Sequence, residues 1–161
     1  MNPEDYEKIL VEFNGNPPAD MSAVHKFEQE AGFRLPESYV QFLLRANGGK
    51  GFIGPAFVVF WRVGELLENN RGYEAVENVP ELFLFGSDGG GEAFAFNISN
   101  GGTPIVMVPF IGMELDEACP LGATFDAFLE TLYLDGVSRA LNQLHVRHRG
   151  SNKRKPKKQS V

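Results

Sequence analysis

Residues 85–96, FGSDGGGEAFAF, set Ser87, Asp88 and the three consecutive glycines Gly89, Gly90 and Gly91 between two apolar runs of strand character. The spacing from Gly86 to Gly91 matches the frame of a phosphate-binding loop, which requires Lys and then Ser or Thr at the next two positions. This chain has Glu92 and Ala93 there. A carboxylate in place of the cation repels the phosphate it ought to hold, and the alternation that follows is that of a strand, with no helix N-terminus to supply further amides. The stretch therefore reads as a tight connection between two paired strands. Its glycines supply positive φ or close backbone approach.

Outward from this turn, Leu82–Phe85 and Ala93–Phe96 pair with each other. Phe57–Trp61 forms an earlier strand, and Ile105–Pro109 a later one whose proline marks an edge or a bend. Glu65–Asn70 reads as a short polar helix or turn. Three helices precede the sheet. Asn2 and Pro3 start the first, with Tyr6, Ile9, Leu10 and Phe13 at helical spacing. Ser22 caps a second, which carries Val24, Phe27 and Ala31 and stops at Gly32. Pro36 opens a third, with Tyr39, Phe42, Leu43 and Ala46 facing inward, and Asn47, Gly48 and Gly49 end it. Leu35 precedes proline and is pushed out of the α region, so the second and third helices are separate and expected to form a hairpin. Thr124 caps a final core helix carrying Phe125, Phe128, Leu129 and Leu132, which ends at Gly136. Helices, then sheet, then helix predict an α+β fold: N-terminal helices, a twisted, mostly antiparallel sheet and a C-terminal core helix.

The 161 residues suit one domain with a tail. With 43% apolar residues and 14 Phe, the chain has the material for a packed core. The opening MNPEDYEKIL carries acids where a secretory leader needs bases, and the longest apolar run, residues 52–61, is broken by Gly54 and Pro55 and too short to span a bilayer. Cys119 is the single cysteine, so no intramolecular disulfide is available. A cytoplasmic location is expected.

Net charge hides an asymmetry. Residues 1–138 hold all 21 acids against 7 Lys or Arg, a formal charge of −14, whereas residues 139–161 hold 8 Lys or Arg and no acid. The acidic body disfavours nucleic acid and favours a basic protein, unless its charge serves only solubility. The basic segment predicts a disordered tail, suited to weak contact with nucleic acid, anionic lipid or an acidic protein, or simply to solubility. The expected division is a domain over 1–138 and a tail over 139–161.

Catalytic and metal chemistry find little support in the sequence. Cys119 with His25, His145 or His148 makes a poor nucleophile pair, since two of those histidines fall in the expected tail and Cys119 reads as a small core filler. His145 and His148 have no acid or cysteine in the tail to complete a metal set. No cofactor is expected. Glu114, Asp116 and Glu117, and Asp88 near Glu92, read as solvated acidic loops rather than a catalytic carboxylate pair. These acids, with Glu65 and Glu68, are candidate steering charges for a basic partner around an apolar anchor, Trp61 or Phe110. Core packing is the alternative reading of Trp61.

Four blocks in order, LPESYVQFLLRANGG at 35–49, FGSDGGGEAFAF at 85–96, PIVMVPFIG at 104–112 and PLGATFDAFLETL at 120–132, which contains Gly122, resemble the Smi/Knr-type domain of the SUKH superfamily. Asn97 stands where the resemblance leads one to expect Asp, and the basic tail lies outside the shared region. The resemblance implies a non-enzymatic protein-binding scaffold. In bacteria it implies an immunity protein that neutralises a cognate toxin, often a nuclease, by direct binding; the alternative is a regulatory or adaptor module with no toxin partner.

Overall fold

In the computed structural model, residues 1–138 are described together with Ala140, Asn142 and Val146. Seven strands form one antiparallel sheet in which sequence order is spatial order: β1 (Phe13–Gly15), β2 (Gly49–Ile53), β3 (Ala56–Phe60), β4 (Leu82–Ser87), β5 (Glu92–Asn97), β6 (Ile105–Pro109) and β7 (Cys119–Gly122). The helices are α1 (Pro3–Ile9), α2 (Met21–Ala31), α3 (Glu37–Leu43), α4 (Leu66–Gly72), α5 (Ala75–Asn78) and α6 (Phe125–Asp135). The fold is α+β, as expected.

Alternation along β4 and β5 divides the core between the two faces of the sheet. Phe83, Phe85, Phe94 and Phe96 point to one side, where they meet Val24, Phe27, Tyr39, Phe42, Phe125 and Phe128 from the helices. The rings interlock, with Phe85 and Phe96 stacked 4.5 Å apart and Phe94 edge-on to Phe128 at 5.2 Å. Leu82, Leu84, Ala93, Ala95, Val106 and Val108 point to the other side and pack against Ala75, Val79 and Met113. The central strands are thus buried on both faces. That explains the near-continuous apolar run of β4, since a strand with one solvated face alternates apolar and polar residues.

Local chemistry fixes the helix ends. Asn2 caps α1 by accepting from the Asp5 amide, and Thr124 caps α6 by accepting from the Ala127 amide. α2 is capped by Asp20 rather than Ser22: the Asp20 carboxylate accepts from the Ala23 amide, and the Ser22 hydroxyl donates to it. Phe13 leaves the helical run that its spacing suggested and opens β1 instead. Its ring is buried against Phe42 and Phe60, a position a straight continuation of α1 does not supply. α2 and α3, expected to form a hairpin, both feed the same core cluster, and their strongest contacts are with other elements: α2 lies against the short turn Val63–Glu65, and α3 against α6.

The chain remains part of the core beyond the expected boundary at residue 138, since Ala140 is wholly buried in the helix-side cluster. The rest of the expected tail, apart from Asn142 and Val146, lies outside the described residues.

Candidate functional site

The glycine turn is built by its own acid. Asp88 Oδ1 accepts from the amides of Gly90 and Glu92, at 2.8 and 3.2 Å, and the Asp88 amide donates to the Glu92 carbonyl. Of the three glycines only Gly89 has positive φ, 77°, and a Cβ there meets the Phe57 ring at 2.9 Å. Gly86 serves close approach: it follows a register shift after Leu84, and a Cβ on it falls 2.4 Å from the Val59 carbonyl. The amides of Gly90 and Glu92 turn to Asp88 and that of Gly89 to the Ser87 hydroxyl, so the segment bonds within itself as a strand connection.

The remaining motif residues occupy joints. Leu35 is buried and donates its amide to Glu28, and Pro36 with φ −61° precedes α3. Asn47 accepts from the Val63 amide at 2.8 Å and receives Asn16 on its carbonyl, tying the end of the α3 segment to the exit of β3. Gly48 and Gly49 lead into β2, and Gly122 ends β7 against the backbone of Phe128. Pro109 ends β6 past Met107, where β7 pairing stops, so no ladder bond is forfeited by its missing N–H. Asn97 accepts from both the amide and the hydroxyl of Ser99, so its amide oxygen performs the turn role there.

The candidate anchors come together on the face of the sheet opposite α6. Trp61 extends the pairing of β3 with β4 by donating its amide to the Phe85 carbonyl, and Phe110 extends β6 by donating to the Gly91 carbonyl. Between them stands Tyr73, which the sequence did not single out. Trp61 and Tyr73 are stacked with centroids 5.9 Å apart and planes 8° from parallel, and Tyr73 stacks on Phe110 at 4.4 Å and 30°. Tyr73 is 49% exposed, so the ladder of three rings opens to solvent.

Two devices hold Tyr73 in place. The carboxamide of Asn70, one turn earlier, is buried and bonds the backbone of β4 at Leu84. Immediately after Tyr73, Glu74 adopts the left-handed conformation with φ 56°, the only non-glycine residue with positive φ among those described, and turns the chain into α5. Ala75 and Val79 then bury themselves in the outer cluster, leaving Glu74, Val76 and Glu77 exposed. On the opposite flank Met113 is buried in the same cluster, with Phe110 and Ala118 packed against it, while Ile111, Glu114, Leu115 and Asp116 remain exposed. The result is an aromatic ladder with exposed aliphatic side chains beside it and, on its two flanking segments, four exposed carboxylates and the half-buried Glu117.

The other predicted charges are placed differently. Glu65 is engaged with Arg62, which it receives at both the backbone amide and the guanidinium, and Arg62 also donates to Asn16. Glu65 lines, with Asn14, Lys50, Trp61 and Arg62, a shallow cleft of about 370 Å³ at the Trp61 end of the ladder. Glu68 is exposed on α4. Glu92 alternates to the helix side, away from the ladder: burial raises its carboxyl above the ordinary range, and the charges of Asp88 and Glu117 raise it further. Its Oε2 is buried and accepts no hydrogen bond from the described residues. Cys119 is wholly buried with its thiol toward the Glu117 carbonyl, and His25 is exposed on α2. His145 and His148 lie outside the described residues. Among the described residues no three His, Cys, Asp or Glu side chains are grouped to hold a metal ion, and no helix is long and apolar enough to cross a membrane.

An α+β domain that stacks helices on one face of an antiparallel meander, and covers the other only in part, defines a scaffold with an accessible sheet face. The family model of the SMI1 / KNR4 family (SUKH-1) matches residues 18–131, more than half of the chain, and the chain belongs to that family. Among curated proteins none matches it.

Proposed function

We propose that this chain is a non-catalytic, cytoplasmic protein-binding domain whose partner is a basic protein, and that it acts as a bacterial immunity protein neutralising a cognate toxin, a nuclease being the favoured kind, by direct contact. The observation that carries the reading is the Trp61–Tyr73–Phe110 ladder, rimmed by Glu74, Glu77, Glu114 and Asp116. The half-buried Trp61 and the exposed Tyr73 are of the residue types that give large contact area at low entropic cost and are enriched among those that dominate interface energetics. Surrounding carboxylates speed encounter with a basic partner and disfavour acidic ones. Family membership supports the binding role, and the formal charge of −14 on residues 1–138 supports the sign of the partner.

Co-expression with the product of the neighbouring gene, followed by affinity capture and an activity assay of the captured protein, tests the reading. Capture of a basic toxin whose activity falls on binding is expected. The immunity role fails if no adjacent gene encodes a toxin; capture of a non-toxic regulatory protein would assign the adaptor role instead.

A further inference from the structure

We infer that the binding face is bipolar: at the Trp61 end of the ladder, Lys50 and Arg62 line a cleft that takes an Asp or Glu side chain of the partner, whose basic surface meets the acids on the ladder's flanks. The inference rests on the binding face proposed above and adds to it the orientation in which the partner docks.

Strand register builds the cleft. Lys50 on β2 stands opposite Asn14 on β1 and Val59 on β3, so alternation places the three side chains on one face of the sheet. Trp61, Asn16, Arg62 and Glu65 complete the lining, whereas Phe52 and Phe57, further along the same hairpin, take no part in it. Lys50 is exposed, and among the described residues nothing bonds or pairs with its ammonium group. Arg62 is held in position, with Nη1 donating to Glu65 Oε1 at 3.4 Å and Nη2 to Asn16 Oδ1 at 3.3 Å. A guanidinium carries further N–H donors, and these stay available to an incoming carboxylate. Two cations against the single carboxylate of Glu65 leave the cleft positive, a local reversal on a body whose formal charge is −14.

The flanking segments 73–79 and 110–118 have the opposite sign. They contain no Lys or Arg and carry Glu74, Glu77, Glu114, Asp116 and Glu117. The signs meet at Tyr73, which Arg71 precedes by two residues and Glu74 follows directly, while Glu68 adds a carboxylate on α4. A partner that covers Trp61 also takes Lys50 and Arg62 out of water. A uniformly basic surface would set them against like charge, and an apolar one would leave them unpaired, both of which are costly. A carboxylate at that point satisfies them. With cations of the partner on the acidic flanks, only one orientation matches both signs, and the reversed one is penalised at each end.

Lys50→Glu is the discriminating variant, because the side chain it reverses is exposed and holds no described contact. With the partner captured by co-expression, Lys50→Glu is expected to weaken binding about tenfold or more, chiefly through faster dissociation, and Lys50→Gln about threefold. A partner basic over this end as well would bind Lys50→Glu faster and more tightly. That result, or unchanged binding, overturns the inference while leaving the proposed function intact. The free chain gives a second reading. Hexaglutamate, added at matched ionic strength, is expected to shift the indole N–H resonance of Trp61 and the amides of Lys50 and Arg62, and to lose these shifts in Lys50→Glu. Shifts that are absent at these sites, or that persist in Lys50→Glu, overturn the inference. Failure to capture any partner removes the proposed function, and the hexaglutamate shifts still decide whether the cleft takes a carboxylate.

Discussion

The side-chain amide of Asn70 completes the backbone bonding of Leu84. Its Nδ2 donates to the Leu84 carbonyl at 2.9 Å and its Oδ1 accepts from the Leu84 amide at 2.8 Å, while Nδ2 also donates to the Leu66 carbonyl at 2.7 Å. β3 pairs with β4 only at Ser87 and Gly86, with a last bond from Trp61 to Phe85, so at Leu84 β4 has a strand beside it only on its β5 edge. A buried carboxamide takes the place of a strand on the other edge and fastens α4, and with it Tyr73, to the sheet. Asn70→Ala leaves a buried N–H and a buried C=O on Leu84 without this partner. Urea unfolding is expected to show a loss of about 2–4 kcal/mol, and a loss below about 0.5 kcal/mol contradicts the clamp.

The glycine turn gives a contrast within three residues. Gly89→Ala puts a Cβ in the left-handed region and against the Phe57 ring, whereas Gly91 has open space at its Cβ position and φ outside that region. The first substitution is expected to cost about 1–2 kcal/mol and Gly91→Ala less than about 0.5 kcal/mol, measured by thermal melting. The general expectation of strain at three glycines narrows to one. For Gly90, a Cβ meets Asp88 only at 3.4 Å.

Glu92 supplies a pH signature. Its folded-state pKa is raised by burial and then by Asp88 and Glu117, so the native state holds this proton more tightly than the unfolded chain does. The resulting penalty is fully present above the folded pKa and disappears as pH falls below the unfolded value, so stability drops as pH rises through that window. Glu92→Gln is expected to raise the melting temperature at pH 7 and to leave it little changed near pH 3. A lower melting temperature at pH 7 would mean that the carboxylate makes a stabilising contact.

Ending the chain at Val146 removes the basic segment but keeps Ala140, which is in the core. The melting temperature is expected to shift by no more than about 2 °C, because a sequence of charged and polar residues with no apolar period has little surface to bury. A drop of many degrees would show that residues beyond Val146 belong to the folded domain.

What the sequence revealed followed from pattern strength. Phe83, Phe85, Phe94 and Phe96 alternate strongly enough to mark β4 and β5, and Thr124 with its apolar stripe marks α6. β2 escaped because its sequence, GKGFI, carries two glycines, residues disfavoured in strands, and β7 because it contains Pro120. Phe13 shows how helical spacing misleads when a tertiary pocket between Phe42 and Phe60 competes for the ring. The site was half legible: Trp61 and Phe110 stood out as aromatic residues near acids. Tyr73 did not, because it lies in a polar connection where only the fold, through Asn70 and the turn at Glu74, brings it between them.

The acidic rim has a kinetic consequence. Reversing Glu114 and Asp116 to Lys is expected to slow association with a basic partner about tenfold at low salt while changing dissociation less than about twofold, because rim charges act at long range. Association that is indifferent to salt and to these reversals would remove the electrostatic part of the account.

The most direct measurement is dissociation of the captured partner from two single variants. Tyr73 sits at the centre of the ladder, whereas Phe52, 47% exposed, pairs with Phe57 on the β2–β3 hairpin and stacks on none of its rings. Tyr73→Ala is expected to weaken binding by about thirtyfold or more, chiefly through faster dissociation, and Phe52→Ala by less than about threefold. Unchanged binding by Tyr73→Ala together with a large loss in Phe52→Ala would place the partner on the hairpin and contradict the ladder as the binding face.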